Sequence, residues 1–109
     1  MVALDISNVR RYYSRGMISS FADNRTAAIF LGRHVKGVPG DVAKRAHRKL
    51  IMLNQARDLN DLKVPPGNRL EALVGDRAGQ HSIRVNDQWR ICFKWNAGSV
   101  EQVEFCDYH

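Results

Sequence analysis

The stretch SIRVNDQWRICFKW (82–95) decides the fold. Ile83 and Val85 alternate with Ser82, Arg84 and Asn86. Trp89, Ile91, Phe93 and Trp95 alternate with Arg90, Cys92 and Lys94. A period of two belongs to strands with one buried face. For both apolar sets to face one core, the connecting loop must hold an odd number of residues, because a one-residue slip exchanges the faces. A three-residue loop, Asn86–Gln88, meets that condition with residue types that tolerate left-handed backbone. Val85 then lies opposite Trp89, Ile83 opposite Ile91, and Arg84 directly opposite Arg90. Like charges at paired positions destabilise a sheet, so something must offset them. One reading is an ion pair: a similar three-residue loop at Asn96–Gly98 would place Glu104 of the last strand beside Arg90. The other is an anion site, with two guanidiniums aimed at one phosphate.

Working outward, strands are expected at about 69–74, 80–85, 89–95 and 100–108. Their links, GDRAG, NDQ and NAG, are short and rich in turn formers, so consecutive strands pair antiparallel. Upstream, MISSF (17–21) is strand-like, and Asp23 is placed to cap a helix running to about Leu31. Gly32, Gly37, the Pro39-Gly40 pair and Asp41 mark a turn and a second N-cap. From Val42 to Arg57 the period is helical. Val42, Ala43, Ala46, Leu50 and Leu53 share one face, and Lys44, Arg45, Arg48 and Lys49 cluster on the other. That basic face is either simply solvated or a contact for RNA or an acidic partner. The segment DLNDLKVPPGN (58–68) ends the helix, since paired prolines cannot sit inside one. The expected fold class is α+β: two N-terminal helices packed on one face of a small, mostly antiparallel twisted sheet, whose other face is open. Residues 1–16 read as an appendage of unknown role, and residues 17–109 as a single domain.

The apolar share of 44% and charged share of 26% are those of an ordinary globular protein. No apolar run approaches the roughly 18 residues of a membrane span, and MVALDISNVRRYYSRG is too polar and basic for a secretory signal. The expected location is the cytoplasm. Cys92 and Cys106 make no disulfide framework, and the histidines at 34, 47, 81 and 109 are scattered, so neither a metal site nor a cofactor is expected. Residues 1–68 carry twelve basic and five acidic side chains, and residues 69–109 five and six. The basic excess thus lies in the helical half, which suits a polyanionic partner and equally a solvated basic surface.

The chain closes on EFCDYH (104–109). Strand parity puts Tyr108 on the arginine face, and His109 falls past the last pairing, free to turn toward it. Asp107, Tyr108 and His109 can all move protons, so an anion cradle would have proton-transfer groups at its rim. RNA can be cut at a phosphodiester by its own 2′-hydroxyl. That reaction needs a base for the hydroxyl, an acid for the departing 5′-oxygen and cations for the charge on phosphorus. Histidine can be either proton carrier, and arginine supplies the charge.

PPGNRLEAL (65–73), GDRAGQHSIRVNDQWRICF (75–93) and the terminal DYH resemble the RelE/ParE superfamily of type II toxin–antitoxin toxins, specifically its HigB branch. The resemblance covers Met17 to His109. It implies a RelE-like toxin that enters the ribosomal A site and cleaves translated mRNA. Its partner would be a HigA-like helix-turn-helix antitoxin, through which alone it would meet operator DNA. It also implies catalytic roles for Asp107, Tyr108 and His109, with Arg84 and Arg90 gripping the scissile phosphate. Arg69, Arg77, His81 and Lys94 are further RNA-binding candidates, although His81 also reads as a plain strand-edge histidine. Two positions depart from the family pattern. Val74 stands where many relatives have a phosphate-binding lysine, and Glu71 where some have a catalytic histidine. Glu71 is therefore either an auxiliary base or an ion-pair partner for an arginine. Trp89 and Trp95 fall on the core face and read as packing. The alternatives are a ParE-like gyrase poison, against which the terminal Tyr-His argues, and a catalytically weak toxin serving mainly as an antitoxin-binding co-repressor.

Overall fold

The computed structural model describes residues 17–107; residues 1–16, Tyr108 and His109, on which several of these expectations fall, lie outside the described residues. Four strands, β1 (Glu71–Ala72), β2 (His81–Arg84), β3 (Trp89–Asn96) and β4 (Ser99–Asp107), form one antiparallel sheet in the order β1-β2-β3-β4. The central hairpin has the expected register, with Ile83 paired to Ile91 and Arg84 to Arg90. Its loop is held by Asn86, whose Oδ1 accepts from the backbone N–H of Gln88 (2.9 Å) and of Trp89 (2.7 Å). An Asx turn of this kind lets a short polar side chain replace backbone partners at a reversal.

The β3–β4 register differs from expectation. The turn holds two residues rather than three, because Asn96 pairs with Ser99, and a bulge between Cys92 and Lys94 adds a second one-residue shift. Gln102 takes up that bulge with a left-handed φ of 53°. Two shifts of one preserve the parity, so Phe93, Val103 and Phe105 still face the core. The partners change, however. Glu104 lies opposite Cys92, and Arg90 opposite Cys106. The first strand is also shorter than the expected 69–74, because a 3-10 turn at Pro66–Asn68 leaves Arg69 left-handed (φ 45°, ψ 57°). A second 3-10 turn at Gly75–Arg77 follows almost at once.

Helix α1 (Asn24–Phe30) starts at Asp23, whose Oδ1 accepts from both the Thr26 amide and the Thr26 hydroxyl at 2.7 Å. Helix α2 (Gly40–Gln55) begins earlier than expected: Pro39 holds the cap position, without a side-chain bond, and Asp41 sits in the first turn. There its carboxylate still meets the positive end of the helix dipole. The helix stops at Gln55, where Ala56 turns extended, and Asp58 and Asp61 form a capping box for a 3-10 helix over Leu59–Lys63. The break therefore precedes the prolines.

Val42, Ala46, Leu50 and Leu53 of α2 lie on the sheet with Ile29 and Phe30 of α1, and all are buried. Among the described residues the opposite face keeps a small apolar cluster, Leu73, Cys92 and Cys106. Segment 17–22 runs parallel to β4 and covers its outer edge, with Ile18 bridged to Val100 and Phe21 to Val103. An uncovered edge would offer its unpaired amides and carbonyls to other chains. Among the described residues no helix is long and apolar enough to cross a membrane.

Leu50 is fully buried at the contact between α2 and the sheet. Leu50→Ala should cost about 2–5 kcal/mol of unfolding free energy in a denaturant titration. Val74→Lys, at a position 85% exposed, should change stability by less than about 0.5 kcal/mol.

Candidate functional site

Both arginines of the central pair point to the open face of the sheet, and each has its own acceptors. An Arg84 terminal nitrogen donates to Asp87 Oδ1 at 2.6 Å. Arg90 donates from Nε to Ser82 Oγ (2.7 Å) and from a terminal nitrogen to the Arg69 carbonyl (2.7 Å). Glu71 Oε2 lies 3.7 Å from the same guanidinium. The repulsion between two facing cations is thus offset locally, by groups from the hairpin loop and from the 3-10 turn. The expected Glu104 partner is replaced by Glu71, while Glu104 pairs with Arg77 at 3.2 Å. That contact holds the Arg77 guanidinium's pKa above its usual range.

The Arg69 carbonyl reaches Arg90 because its residue is left-handed, a conformation that costs a non-glycine roughly 1–2 kcal/mol. Asn68 supports it. Fully buried, its Nδ2 donates to the Leu62 carbonyl (3.0 Å), and its Oδ1 accepts from Lys49 of α2. Burial first, and then the nearby Arg45, Arg48 and Arg84, press the Lys49 ammonium's pKa down. A chain of contacts therefore runs from α2 through Asn68 and Arg69 to Arg90.

Around these groups lies an open cleft of about 400 Å³, lined by Arg69, Glu71, Arg84 and Arg90 together with the loop residues Asn86, Asp87 and Gln88. Three guanidiniums face two carboxylates there, an excess that suits an anion. The Arg90 side chain is 15% exposed and Glu71 58%, so the guanidinium is a fixed wall and the carboxylate a displaceable one. At the rim, Gln88 Nε2 donates to Asp107 Oδ2 at 3.1 Å, and Trp89 pairs with Asp107. The end of β4 is thereby brought to the cleft.

Other candidates lie elsewhere. His81 faces the core side, stacked on Phe93 with centroids 6.3 Å apart, and its buried Nδ1 has no hydrogen-bond partner among the described residues. Lys94 is exposed, paired across the strands with Glu101. Arg77 reaches the open face but is engaged with Glu104 and Gln80. Trp89 stacks on Phe105 at 4.4 Å, and both tryptophans pack against the core as expected. Cys92 and Cys106 are free and buried with their sulfurs 2.9 Å apart. The hydrogen bond to Cys92, reinforced by burial, pushes the Cys106 thiol's pKa up, which makes it a poor nucleophile. Among the described residues no group of three or more His, Cys, Asp and Glu side chains could hold a metal ion. Ser82, Asn68, Asp87 and Gln88 were not evident in the sequence as members of the site. Of these, only Asp87 and Gln88 had a signal, as polar residues in a loop adjoining Arg84.

Two helices packed on a four-stranded antiparallel sheet, with an arginine-walled cleft on its open face, define a small α+β protein of the RelE-like class. More narrowly, the chain belongs to the family described as the RelE-like toxin of type II toxin–antitoxin system HigB, whose model matches residues 19–109. It is 44% identical over 61 residues to Toxin HigB-1 of Vibrio cholerae serotype O1, a match covering 56% of this chain and 64% of that protein. It is 31% identical over 93 residues to Endoribonuclease HigB of Proteus vulgaris, covering 85% of this chain and all of that one. An uncharacterized protein of Haemophilus influenzae is 36% identical over 72 residues, covering 66% of this chain and 70% of its own length.

Asp87 competes with any anion for Arg84. The bond to Arg84 holds its carboxyl below the usual carboxylate range, so the pair persists at neutral pH and opens only as pH falls through that depressed value. Asp87→Asn should therefore tighten binding of a short oligonucleotide at pH 7, by no more than about fivefold for so exposed a pair. Fluorescence anisotropy measures this, and an unchanged or weakened affinity would assign Asp87 to orienting Arg84 instead.

Proposed function

We propose that this chain is an endoribonuclease toxin that cuts mRNA as it is translated, in the cytoplasm, and that a HigA-like helix-turn-helix antitoxin neutralises it. The toxin would then touch operator DNA only through that antitoxin. The observation that carries the reading is the cross-strand pair Arg84–Arg90, walling a cleft to which the end of β4 is tied. The name of the Proteus vulgaris relative supports the activity.

In the proposed reaction the scissile phosphate displaces Asp87 and Glu71 from the two guanidiniums. Its non-bridging oxygens then accept from Arg84 and Arg90, with Arg69 beside them. The 2′-hydroxyl attacks phosphorus and loses its proton, the bond to the 5′-oxygen breaks, and that oxygen gains one. His109 is the principal proton carrier, with Tyr108 as donor or phosphate holder and Asp107 orienting the terminal segment. Glu71, once released from Arg90, is within the cleft to serve as an auxiliary base. A small domain with few groups gains most from a partner that pre-bends the RNA, so cleavage should depend on the ribosome.

Two observations favour a second reading, a weak enzyme acting mainly as co-repressor. Both strand arginines are already ion-paired, and Val74 presents an exposed apolar side chain where a cation would help.

Deleting His109 separates the two. It should lower ribosome-dependent cleavage about 10²–10⁴-fold and remove an inflection in the histidine range from the rate–pH profile, with antitoxin binding intact. Parent-like cleavage would exclude His109 as proton carrier. Added ribosomes with an mRNA should produce defined cuts where free RNA is cut poorly; equal cleavage of both would overturn the ribosome requirement.

A further inference from the structure

Helix α1 grips the end of β4 through consecutive residues. Upstream, the outer edge of β4 is bonded to segment 17–22: the Ser19 amide donates to the Val100 carbonyl (2.8 Å), the Val103 amide to the Ser20 carbonyl (3.1 Å) and the Ala22 amide to the Val103 carbonyl (2.9 Å). The contact continues into α1. The Phe105 amide donates to Thr26 Oγ1 at 2.9 Å, and the Phe105 carbonyl accepts from a terminal nitrogen of Arg25 at 2.8 Å. Arg25 also lies 5.4 Å from the Trp89 ring centroid and 5.3 Å from that of Phe105.

Thr26 is fully buried and belongs to the helix cap, so its bond to Phe105 is part of the core. Arg25 is exposed. Its side chain spans the surface of the Trp89–Phe105 stack to reach a carbonyl two residues before Asp107. Two residues on, at Asp107, which shares the parity of Phe105 and lies opposite Trp89, the hold passes to Gln88 of the hairpin loop. Resting on the proposed catalytic role of Asp107, Tyr108 and His109, we infer that Arg25 is a positioning residue: it fixes the backbone at Phe105, and so the place of Asp107 at the rim of the cleft. A catalytic group displaced by about 1 Å can lose on the order of a hundredfold in rate.

The test uses the full chain with ribosomes and mRNA, comparing Arg25→Ala, Arg25→Lys and the His109 deletion. Arg25→Ala should lower kcat by about ten- to a hundredfold with KM and the melting temperature close to the parent's. Its pH profile should keep the histidine inflection, and Arg25→Lys, which restores a donor and a cation, should recover most of kcat. Hydrogen exchange of the Cys106 and Asp107 amides should accelerate in Arg25→Ala. Parent-like kcat, unchanged exchange, or no recovery with lysine overturns the proposal. So does a raised KM, which would make Arg25 a substrate contact, or a collapsed melt, which would make it a stability element. Parent-like cleavage by the His109 deletion would instead sink the catalytic reading, and the exchange measurement would then judge the Arg25 tether alone.

Discussion

Everything at the cleft depends on the parity of one hairpin. Ile83, Ile91, Phe93 and Phe105 are fully buried, and burying each such side chain is worth about 1.5–3 kcal/mol. Slipping β2 against β3 by one residue would turn Ile83 away from the core that Ile91, Phe93 and Phe105 share. The apolar face therefore forces Arg84 and Arg90 into opposition, at a penalty of about 1 kcal/mol or less that the core easily outweighs. The facing cations are a consequence of the core, and their acceptors, Asp87, Ser82, Glu71 and the Arg69 carbonyl, make the arrangement tolerable.

Those acceptors differ in permanence. Ser82 is buried, and the Arg69 carbonyl is fixed by the turn that Asn68 anchors to α2. The two carboxylates are exposed. Neutral and backbone acceptors thus keep Arg90 aimed, while the carboxylates balance the charge of the guanidiniums. The strained φ of Arg69 falls at the point where the backbone must present its carbonyl to the guanidinium, and sites often store strain where geometry is most demanding.

The hairpin, the Asp23 cap and the buried face of α2 were legible because each follows from a local period or a local bond. So was the opposition of Arg84 and Arg90. The pairing of Glu104 was not, because a bulge at Gln102 and a two-residue turn at Ala97–Gly98 leave parity intact while changing partners. Periodicity carries the face of a residue but not its neighbour across the ladder. The same distinction sorts the candidate site. Arg69, Glu71, Arg84 and Arg90 line the cleft. His81, with the parity of Ile83, turns to the core. Asn68 escaped notice because asparagine after proline and glycine reads as a solvated turn, whereas its amide is the buried hub of this one.

Lys49 shows how the two basic regions of the molecule meet. Lys44, Arg45 and Arg48 on the outer face of α2 are exposed and give the helical half its positive excess. In the cleft, by contrast, carboxylates offset much of the charge. Lys49 feels both sets, since Arg45 and Arg48 on one side and Arg84 on the other add to the burial that lowers its pKa. Its bond to Asn68 keeps that ammonium satisfied and at the same time holds the turn carrying Arg69. On the proposed function the two regions have different tasks. The helix face draws a polyanion by a field that reaches on the order of 10 Å at moderate salt. The cleft, nearly balanced until its carboxylates are displaced, favours a phosphate that can engage both guanidiniums at once over a backbone that merely passes by.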